Sequence, residues 1–118
     1  MTIKAKSYAS DASPRPLLGY TVGDLLDSIV SRCPDNEALV SRHQSLRYTY
    51  AEFGQAVDEL ARALMAIGVA KGDRIGIWSQ NNAEWVLVQF ATGKIGSILV
   101  NINPAYRIPE LEYALKQS

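Results

Sequence analysis

The stretch KGDRIGIWSQNNAEWVLVQFATGKIGSILVNI, residues 71–102, decides the fold, because its pattern predicts a strand, a helix and a second strand. RIGIWS (74–79) is a short apolar run typical of a buried strand, and SILVNI (97–102) is the next such run. A helix is predicted between them, over about residues 82–95. This order predicts a right-handed parallel βαβ unit and therefore an α/β fold class.

The helix between these strands is apolar almost all the way round. Its apolar side chains include Trp85, Val86, Leu87, Val88, Phe90 and Ala91. A helix with so little polar surface is expected to be covered on more than one side. Asn81 and Asn82 are N-cap candidates at its start, and Glu84 would complete an arrangement like a capping box.

A helix and a hairpin are predicted on the N-terminal side of this unit. TVGDLLDSIVSRCPD (21–35) has apolar residues at helical spacing, with Thr21 as the N-cap and Pro34 as the stop. EALVSR (37–42) and SLRYTY (45–50) predict the two short strands of a hairpin. The turn of this hairpin contains the residue pair His-Gln.

Two further helices complete the pattern. TYAE (49–52) is a capping box that opens one of them, and Gly68 supplies its left-handed stop. After SILVNI the chain breaks at Asn103-Pro104, and Pro109 begins a last amphipathic helix. The hairpin, the βαβ unit and the covering helices together account for the chain from about residue 17 onward.

Composition excludes several classes of protein. The 118 residues suffice for one domain, and 47% of them are apolar, so a packed core is expected. Twelve basic and twelve acidic residues balance, which leaves no electrostatic case for nucleic acid or an anionic membrane. A single cysteine, Cys33, and a single histidine, His43, make a metal site implausible and predict a reducing, cytoplasmic location.

The N-terminal residues differ in composition from the rest of the chain. Residues 1–16 are interpreted as a flexible leader, and residues 17–118 as the folded part. The leader lacks the apolar block of a secretory signal, and Asp11 argues against a transit peptide. Membrane-spanning helices need ~20 apolar residues in a row, and this sequence has no such run.

Glycine-rich phosphate loops are the first candidate sites. ATGKIGS (91–97) contains Gly-Lys but lacks the earlier glycine and the Ser or Thr of a phosphate loop, and it closes a helix. Gly93 and Gly96 are therefore interpreted as helix-end and close-packing glycines, and Lys94 as a solvated helix-end cation. In residues 71–85 the glycines precede or lie within the strand, so a dinucleotide fingerprint is absent. A ligand touching the exposed amides at the next helix start stays open.

No catalytic, cofactor-binding or metal residue can be assigned. His43 lies in a predicted turn and is interpreted as a surface histidine, while Cys33 lies on an apolar helix stripe and is interpreted as core. Two pairs of acidic residues are interpreted as solvated or capping charges: Asp24 with Asp27, and Glu110 with Glu112. Four aromatic residues are assigned to packing, although stacking on a base or lining an acyl pocket stays open: Trp78, Trp85, Tyr106 and Tyr113.

Three motifs at fixed spacing carry a family resemblance. They are Leu-x-x-Ile-Gly-Val-x-x-Gly-Asp-Arg (64–74), Asn-x-x-Glu-Trp (81–85) and Asn-Pro-x-Tyr (103–106). With PLLGYTVGDLLD (16–27) and PELEYALKQS (109–118), they make the chain resemble the N-terminal part of acyl-CoA synthetases, fatty-acid–CoA ligases of the adenylate-forming, AMP-binding superfamily. The resemblance is greatest to the branch acting on fatty acids.

This resemblance implies a fold and a reaction. The fold is a partial N-terminal subdomain of the adenylate-forming fold, with a short hairpin and parallel βαβ units. In the family, a carboxylate attacks ATP·Mg²⁺ to give an acyl-adenylate, and coenzyme A then displaces AMP. No position here matches the family's phosphate loop, its acidic ligands or its catalytic lysine. No cofactor is therefore expected on this chain, although full-length members use ATP, Mg²⁺ and CoA.

Two functions of different classes follow. The first is the N-terminal part of an ATP-dependent fatty acyl-CoA ligase that stops before the phosphate-binding loop and is inactive alone. Fatty acid, ATP and CoA would then be partners only of a full-length member. The alternative is a small self-sufficient α/β interaction module that docks on a synthetase or self-associates through exposed apolar surface. A stand-alone flavodoxin-like domain is disfavoured, because too few strands are present.

We expect the isolated chain to bind a hydrophobic dye and to associate into particles of mixed size, because an intact synthetase domain would supply part of the cover of its apolar helix and would pair its open sheet edge. Dye fluorescence and light scattering measure these properties. A monomeric chain that unfolds cooperatively and binds no dye would contradict the expectation.

Overall fold

The chain is described by a computed structural model that covers residues 13–118. In that range the elements, in chain order, are α1 (Val22–Arg32), β1 (Glu37–Ser41), β2 (Leu46–Thr49), α2 (Tyr50–Ala66), β3 (Arg74–Trp78), α3 (Ala83–Ile95), β4 (Ile98–Ile102) and α4 (Ile108–Gln117). The predicted α/β fold class is confirmed. Most of the leader predicted over residues 1–16 lies outside the described residues, and its boundary stays a prediction.

The strands form two separate pairs. β1 and β2 are antiparallel, with a register shift between Glu37 and Leu39, and Ser45 in the connecting turn has a positive φ of 54°. β3 and β4 are parallel, in register from Arg74 opposite Ile98 to Trp78 opposite Ile102. Both the hairpin and the parallel pairing agree with the prediction, because each pairing is set by a short connection or by one intervening helix.

The parallel pair is less buried than its apolar sequence predicts. Ile77 is buried, but Trp78 at the end of β3 is 50% exposed and Ile98 at the start of β4 is 48% exposed. Parallel strands are usually covered on both faces. In the part of the chain that the structure describes, each of these strands pairs only with the other. The prediction of a buried strand at 74–79 is therefore wrong for part of its length.

The core lies where α1, α2 and α3 meet. Its buried members are Leu26, Phe53, Val57, Ala61 and Ala91. The rings of Phe53 and Phe90 pack edge to face, with centroids 5.4 Å apart and planes at 86°. α3 contacts both other helices and both parallel strands. The prediction that this apolar helix is covered on more than one side is confirmed.

Local signals set the helix ends. At the start of α2, the Glu52 N–H donates to Thr49 Oγ1 at 3.3 Å, and the Thr49 N–H donates to the Glu52 carboxylate at 2.8 Å. Thr21 makes the equivalent box at the start of α1. Gly68 and Gly96 follow helices with φ of 98° and 73°, a conformation that glycine adopts without strain. These predicted caps are confirmed.

Replacing Phe53 by alanine should lower the free energy of unfolding by about 3–5 kcal/mol, because the buried ring leaves a cavity and loses its contact with Phe90. Urea denaturation followed by circular dichroism measures this change. Met65→Ala is the matched control, since Met65 lies on the same helix and is 51% exposed. Equal losses in both variants would show that the core is not where α1, α2 and α3 meet.

Candidate functional site

The carboxyl ends of β3 and β4 lie side by side at one edge of the parallel pair. Open α/β sheets bind ligands at this edge, because loops and helix ends there surround a crevice. Trp78 is the last residue of β3, and the loop 79–82 leads from it into α3. The loop 103–107 follows β4 and leads into α4. The loop 103–107 lines two neighbouring cavities, and the loop 79–82 lines the smaller of them. The two cavities are together called the carboxyl edge below.

The larger cavity is an open apolar groove of about 810 Å³, a volume typical of sites for small organic molecules. It is lined by Trp78, Pro104, Ala105, Tyr106, Arg107, Ile108 and Pro109. The guanidinium of Arg107 is the one cationic group in this lining. The groove therefore suits an organic anion that has an apolar or aromatic body.

The smaller cavity has a volume of about 340 Å³ and is polar. It is lined by Ser79, Asn81, Trp85, Asn101, Asn103, Pro104 and Tyr106. The hydroxyl and amide groups can donate and accept hydrogen bonds. This cavity can orient a ligand, and its lining contains no histidine, carboxylate or lysine for general acid–base catalysis.

Three of the four aromatic residues assigned to packing line this edge instead: Trp78, Trp85 and Tyr106. Trp78, Tyr106 and Tyr113 are 50%, 39% and 66% exposed, so the packing interpretation is wrong for these three. Trp85 is half-buried and borders the polar cavity. The positions of Trp78 at a strand end and Tyr106 after the next strand could have indicated this, because carboxyl ends of parallel strands meet.

The start of α3 is capped by a residue that is distant in the sequence. Asn82 occupies the N-cap position, as predicted, but its side chain makes no capping hydrogen bond, so the predicted capping-box-like arrangement with Glu84 is absent. The amide of Gln44, in the hairpin turn, supplies the cap instead. Its Oε1 accepts from the Ala83 N–H at 2.8 Å, and its Nε2 donates to the Glu84 carboxylate at 2.8 Å. The hydrogen bond from Gln44 is the main reason that the pKa of Glu84 lies below its usual value.

His43 and Asn82 reinforce the same junction. His43 Nε2 donates to Asn82 Oδ1 at 2.9 Å, and Asn82 Nδ2 donates to Ser79 Oγ at 3.2 Å. His43 lies at the surface, as predicted, but its ring joins the hairpin to the loop before α3. Because Gln44 occupies the first amide of α3, that N–H is not available to an anion.

Lys94 is not the solvated cation that the sequence predicts. Its side chain is only 14% exposed, and Nζ lies 2.5 Å from Asp27 Oδ1 of α1 and 2.6 Å from Asp58 Oδ1 of α2. The Asp27–Lys94–Asp58 triad therefore joins three helices. Gly23 makes room for it, because a Cβ there would lie 3.1 Å from Lys94 Cγ. At Gly93 a Cβ would meet Val22 at an ordinary 3.9 Å, so Gly93 is not required for close packing.

Burial and ion pairing act in opposite directions on Lys94. Burial alone would lower the pKa of its ammonium group, but hydrogen bonds and attraction from Asp27 and Asp58 outweigh it. The pKa of Lys94 is therefore raised above its ordinary 10.5. Lys94 is charged throughout the physiological pH range, which makes it a structural cation rather than a nucleophile.

The remaining candidate residues form no catalytic or metal-binding group among the described residues. Cys33 is the C-cap residue of α1 and is only half-buried, and it is not part of the core where α1, α2 and α3 meet, so its interpretation as a core residue is not confirmed. Within residues 13–118, no three histidine, cysteine or acidic side chains gather where they could hold a metal ion. Over the same range, the structure contains no helix with both the length and the apolarity required to span a membrane. The site that remains is the carboxyl edge.

Comparison with known proteins places the chain in a family. Residues 26–118 match the family described as AMP-binding enzyme. The chain belongs to the AMP-binding enzyme family. This AMP-binding chain is 46% identical over 111 residues to the medium-chain acyl-CoA ligase ACSF2, mitochondrial, of Macaca fascicularis, covering 94% of the chain and 18% of the ligase. It is 52% identical over 101 residues to the protein of the same name in Bos taurus, covering 86% of the chain and 16% of that ligase.

A solved structure agrees. The inhibitor-bound N-terminal domain of FACL13 from Mycobacterium tuberculosis matches this AMP-binding chain with a TM-score of 0.80 and 30% identity, over 83% of the chain and 25% of that domain's chain. The resemblance to acyl-CoA synthetases is therefore confirmed. The chain spans less than a fifth of the two ligases, at 18% and 16% of their lengths.

The names of the relatives also correct one prediction. A cytoplasmic location was expected, but both ligases are named mitochondrial, which contradicts it. The physical reason is that an unpaired cysteine indicates a reducing rather than an oxidising compartment. It does not distinguish one reducing compartment from another. A single acidic residue, Asp11, is also too weak a signal to exclude a transit peptide.

Replacing Lys94 by methionine should lower the free energy of unfolding by about 1–3 kcal/mol at neutral pH, because two carboxylates lose their shared donor. A raised pKa means that this stabilisation is complete below pH 10.5 and is lost as the pH rises further. The difference between wild type and variant should therefore shrink above pH 10.5.

Urea denaturation at neutral and alkaline pH measures this dependence. Lys116→Met is the control, because Lys116 pairs with Glu112 on the surface of α4 with 74% of its side chain exposed. This control should change stability little at any pH. A Lys94→Met variant as stable as wild type at neutral pH would refute the structural role of the triad.

Proposed function

We propose that this chain forms the N-terminal portion of an ATP-dependent acyl-CoA ligase that acts on fatty acids of medium chain length. The observation that carries the proposal is 46–52% identity to relatives named medium-chain acyl-CoA ligases, along nearly the whole chain. The family match over residues 26–118 and the match to the N-terminal domain of FACL13 support the same proposal.

The proposed reaction has two steps. A fatty-acid carboxylate oxygen attacks the α-phosphorus of ATP, and the bond to the β-phosphate oxygen breaks, so an acyl-adenylate forms and pyrophosphate leaves. The thiolate of CoA then attacks the acyl carbon, a C–S bond forms, and AMP departs with the bonding electrons. Both steps need positive charge near the phosphates and a bound nucleotide.

Arg107 is the one cation that lines the carboxyl edge, and no lysine lines it. The buried ammonium of Lys94 is occupied by two carboxylates, and no cluster of acidic side chains within residues 13–118 fits a magnesium ion. We therefore propose that this chain does not catalyse either step alone. Its contribution is the carboxyl edge, where an apolar groove with Arg107 and an amide-lined cavity can bind part of a substrate.

A self-associating interaction module is the alternative. Exposed apolar side chains on α4 favour it, since Ile108, Tyr113 and Leu115 are 81%, 66% and 60% exposed. Such a surface is typical of a contact with another protein. A stable oligomer of defined size in light scattering would support this module and argue against an incomplete ligase.

The test replaces the matching segment of the bovine ligase by residues 26–118 of this chain. ATP–pyrophosphate exchange dependent on octanoate is then measured for the fusion, for the chain alone and for the bovine ligase without the segment. We expect activity in the fusion and the bovine parent only, because the segment supplies scaffold and binding surface. Exchange by the chain alone would contradict its inactivity.

A folded but inactive fusion would contradict the ligase proposal. Arg107→Leu in the fusion is the matched variant for the carboxyl edge, because it removes the cation and keeps most of the apolar bulk. Leu115→Ala, which changes α4 outside both cavities, is its control. We expect the first variant to raise the KM of an anionic substrate and the second to leave it unchanged.

A further inference from the structure

Helix α3 is held to the rest of the domain at both of its ends. At its first residue, the Ala83 N–H donates to Gln44 of the hairpin turn at 2.8 Å. In its last turn, Lys94 donates to Asp27 and Asp58 at 2.5 and 2.6 Å. Because the partners belong to the hairpin, to α1 and to α2, the two attachments set both the position and the tilt of α3.

The two walls of the carboxyl edge are continuous with this helix. Trp85 in the first turn of α3 borders the polar cavity, and the loop before α3 supplies Ser79 and Asn81 to it. The other end of α3 passes through Gly96 into β4, whose Asn101 lines the same cavity. A displacement of α3 therefore moves both walls together.

We propose that Lys94 is a positioning residue for the carboxyl edge, because its contacts with Asp27 and Asp58 fix the C-terminal end of α3 and thereby the placement of Trp85. This proposal rests on the carboxyl edge being a binding site, as the proposed function has it. Lys94 itself lies nine positions from Trp85, which is ~14 Å along the helix axis, so it contacts no ligand there.

The geometry of the triad explains how a single residue can fix the C-terminal end of α3. The two carboxylate oxygens share one ammonium group and lie no more than about 5 Å apart, a distance at which like charges repel. The ammonium group of Lys94 attracts both carboxylates and so binds α1 and α2 to α3. Without its cation, Asp27 and Asp58 repel each other beside the apolar stem of the replacement, and the end of α3 is released.

The test uses the chain itself and its two tryptophans, Trp78 and Trp85. In a Trp78→Phe background the emission comes from Trp85 alone, so its wavelength and its quenching by acrylamide report the environment at the far end of α3. We expect Lys94→Met to shift the native-state emission of Trp85 to the red and to increase quenching. Lys94→Arg should restore most of the wild-type signal, because it keeps the cation.

The controls separate positioning from stability. Lys116→Met removes the other lysine that is ion-paired in residues 13–118, and it should leave Trp85 emission unchanged. Asp58→Asn removes one partner only, and it provides a milder change if Lys94→Met does not fold. All spectra are recorded without denaturant, in the native baseline.

A purely structural role would lower the unfolding midpoint without moving the native-state emission of Trp85, and that result would overturn the proposal. The same conclusion would follow if Asp58→Asn folded with wild-type emission and quenching. Neither outcome depends on ligase activity, so the positioning role and the proposed function fail separately. In the active fusion, Lys94→Met should raise KM more than it lowers kcat, since the residue acts through the binding surface.

Discussion

The ammonium group of Lys94 lies among three helices, with a carboxylate of α1 and a carboxylate of α2 as its partners. Removing a lysine cation from water is costly, and the two short contacts offset that cost. The same contacts bring the C-terminal end of α3 against α1, where Gly23 has no side chain to obstruct it. The edge-to-face pair of Phe53 and Phe90 then packs in the space enclosed by the helices.

The capping of α3 by Gln44 complements this triad. An apolar helix has no polar face to define its orientation, and packing of aliphatic side chains alone tolerates rotation and sliding. Polar contacts at the two ends remove that freedom, because hydrogen bonds and ion pairs demand specific directions. The position of α3 sets the position of the parallel strands. Among the described residues, the carboxyl ends of these strands form the one edge that has both an apolar and a polar cavity.

Features set by neighbouring residues could be predicted from the sequence. The capping boxes at Thr21 and Thr49, the glycine stops and the order of strands depend on residues a few positions apart. The partners of Lys94 and the cap of Ala83 lie 67, 36 and 39 positions away, and a single sequence carries no sign of such pairings. Sequence reasoning therefore missed the ion pairs of Lys94 and the cap that Gln44 supplies, although it identified the family correctly from motif spacing.

The cap on Ala83 has a consequence for the order in which the chain folds. α3 has 13 residues, a length at which an isolated helix is marginal in water, and its own N-cap residue contributes no side-chain bond. Gln44 is synthesised before α3 and belongs to a hairpin stabilised by local contacts, which form quickly. We therefore expect the hairpin to form before α3 and to supply the acceptor that the first turn of this helix needs.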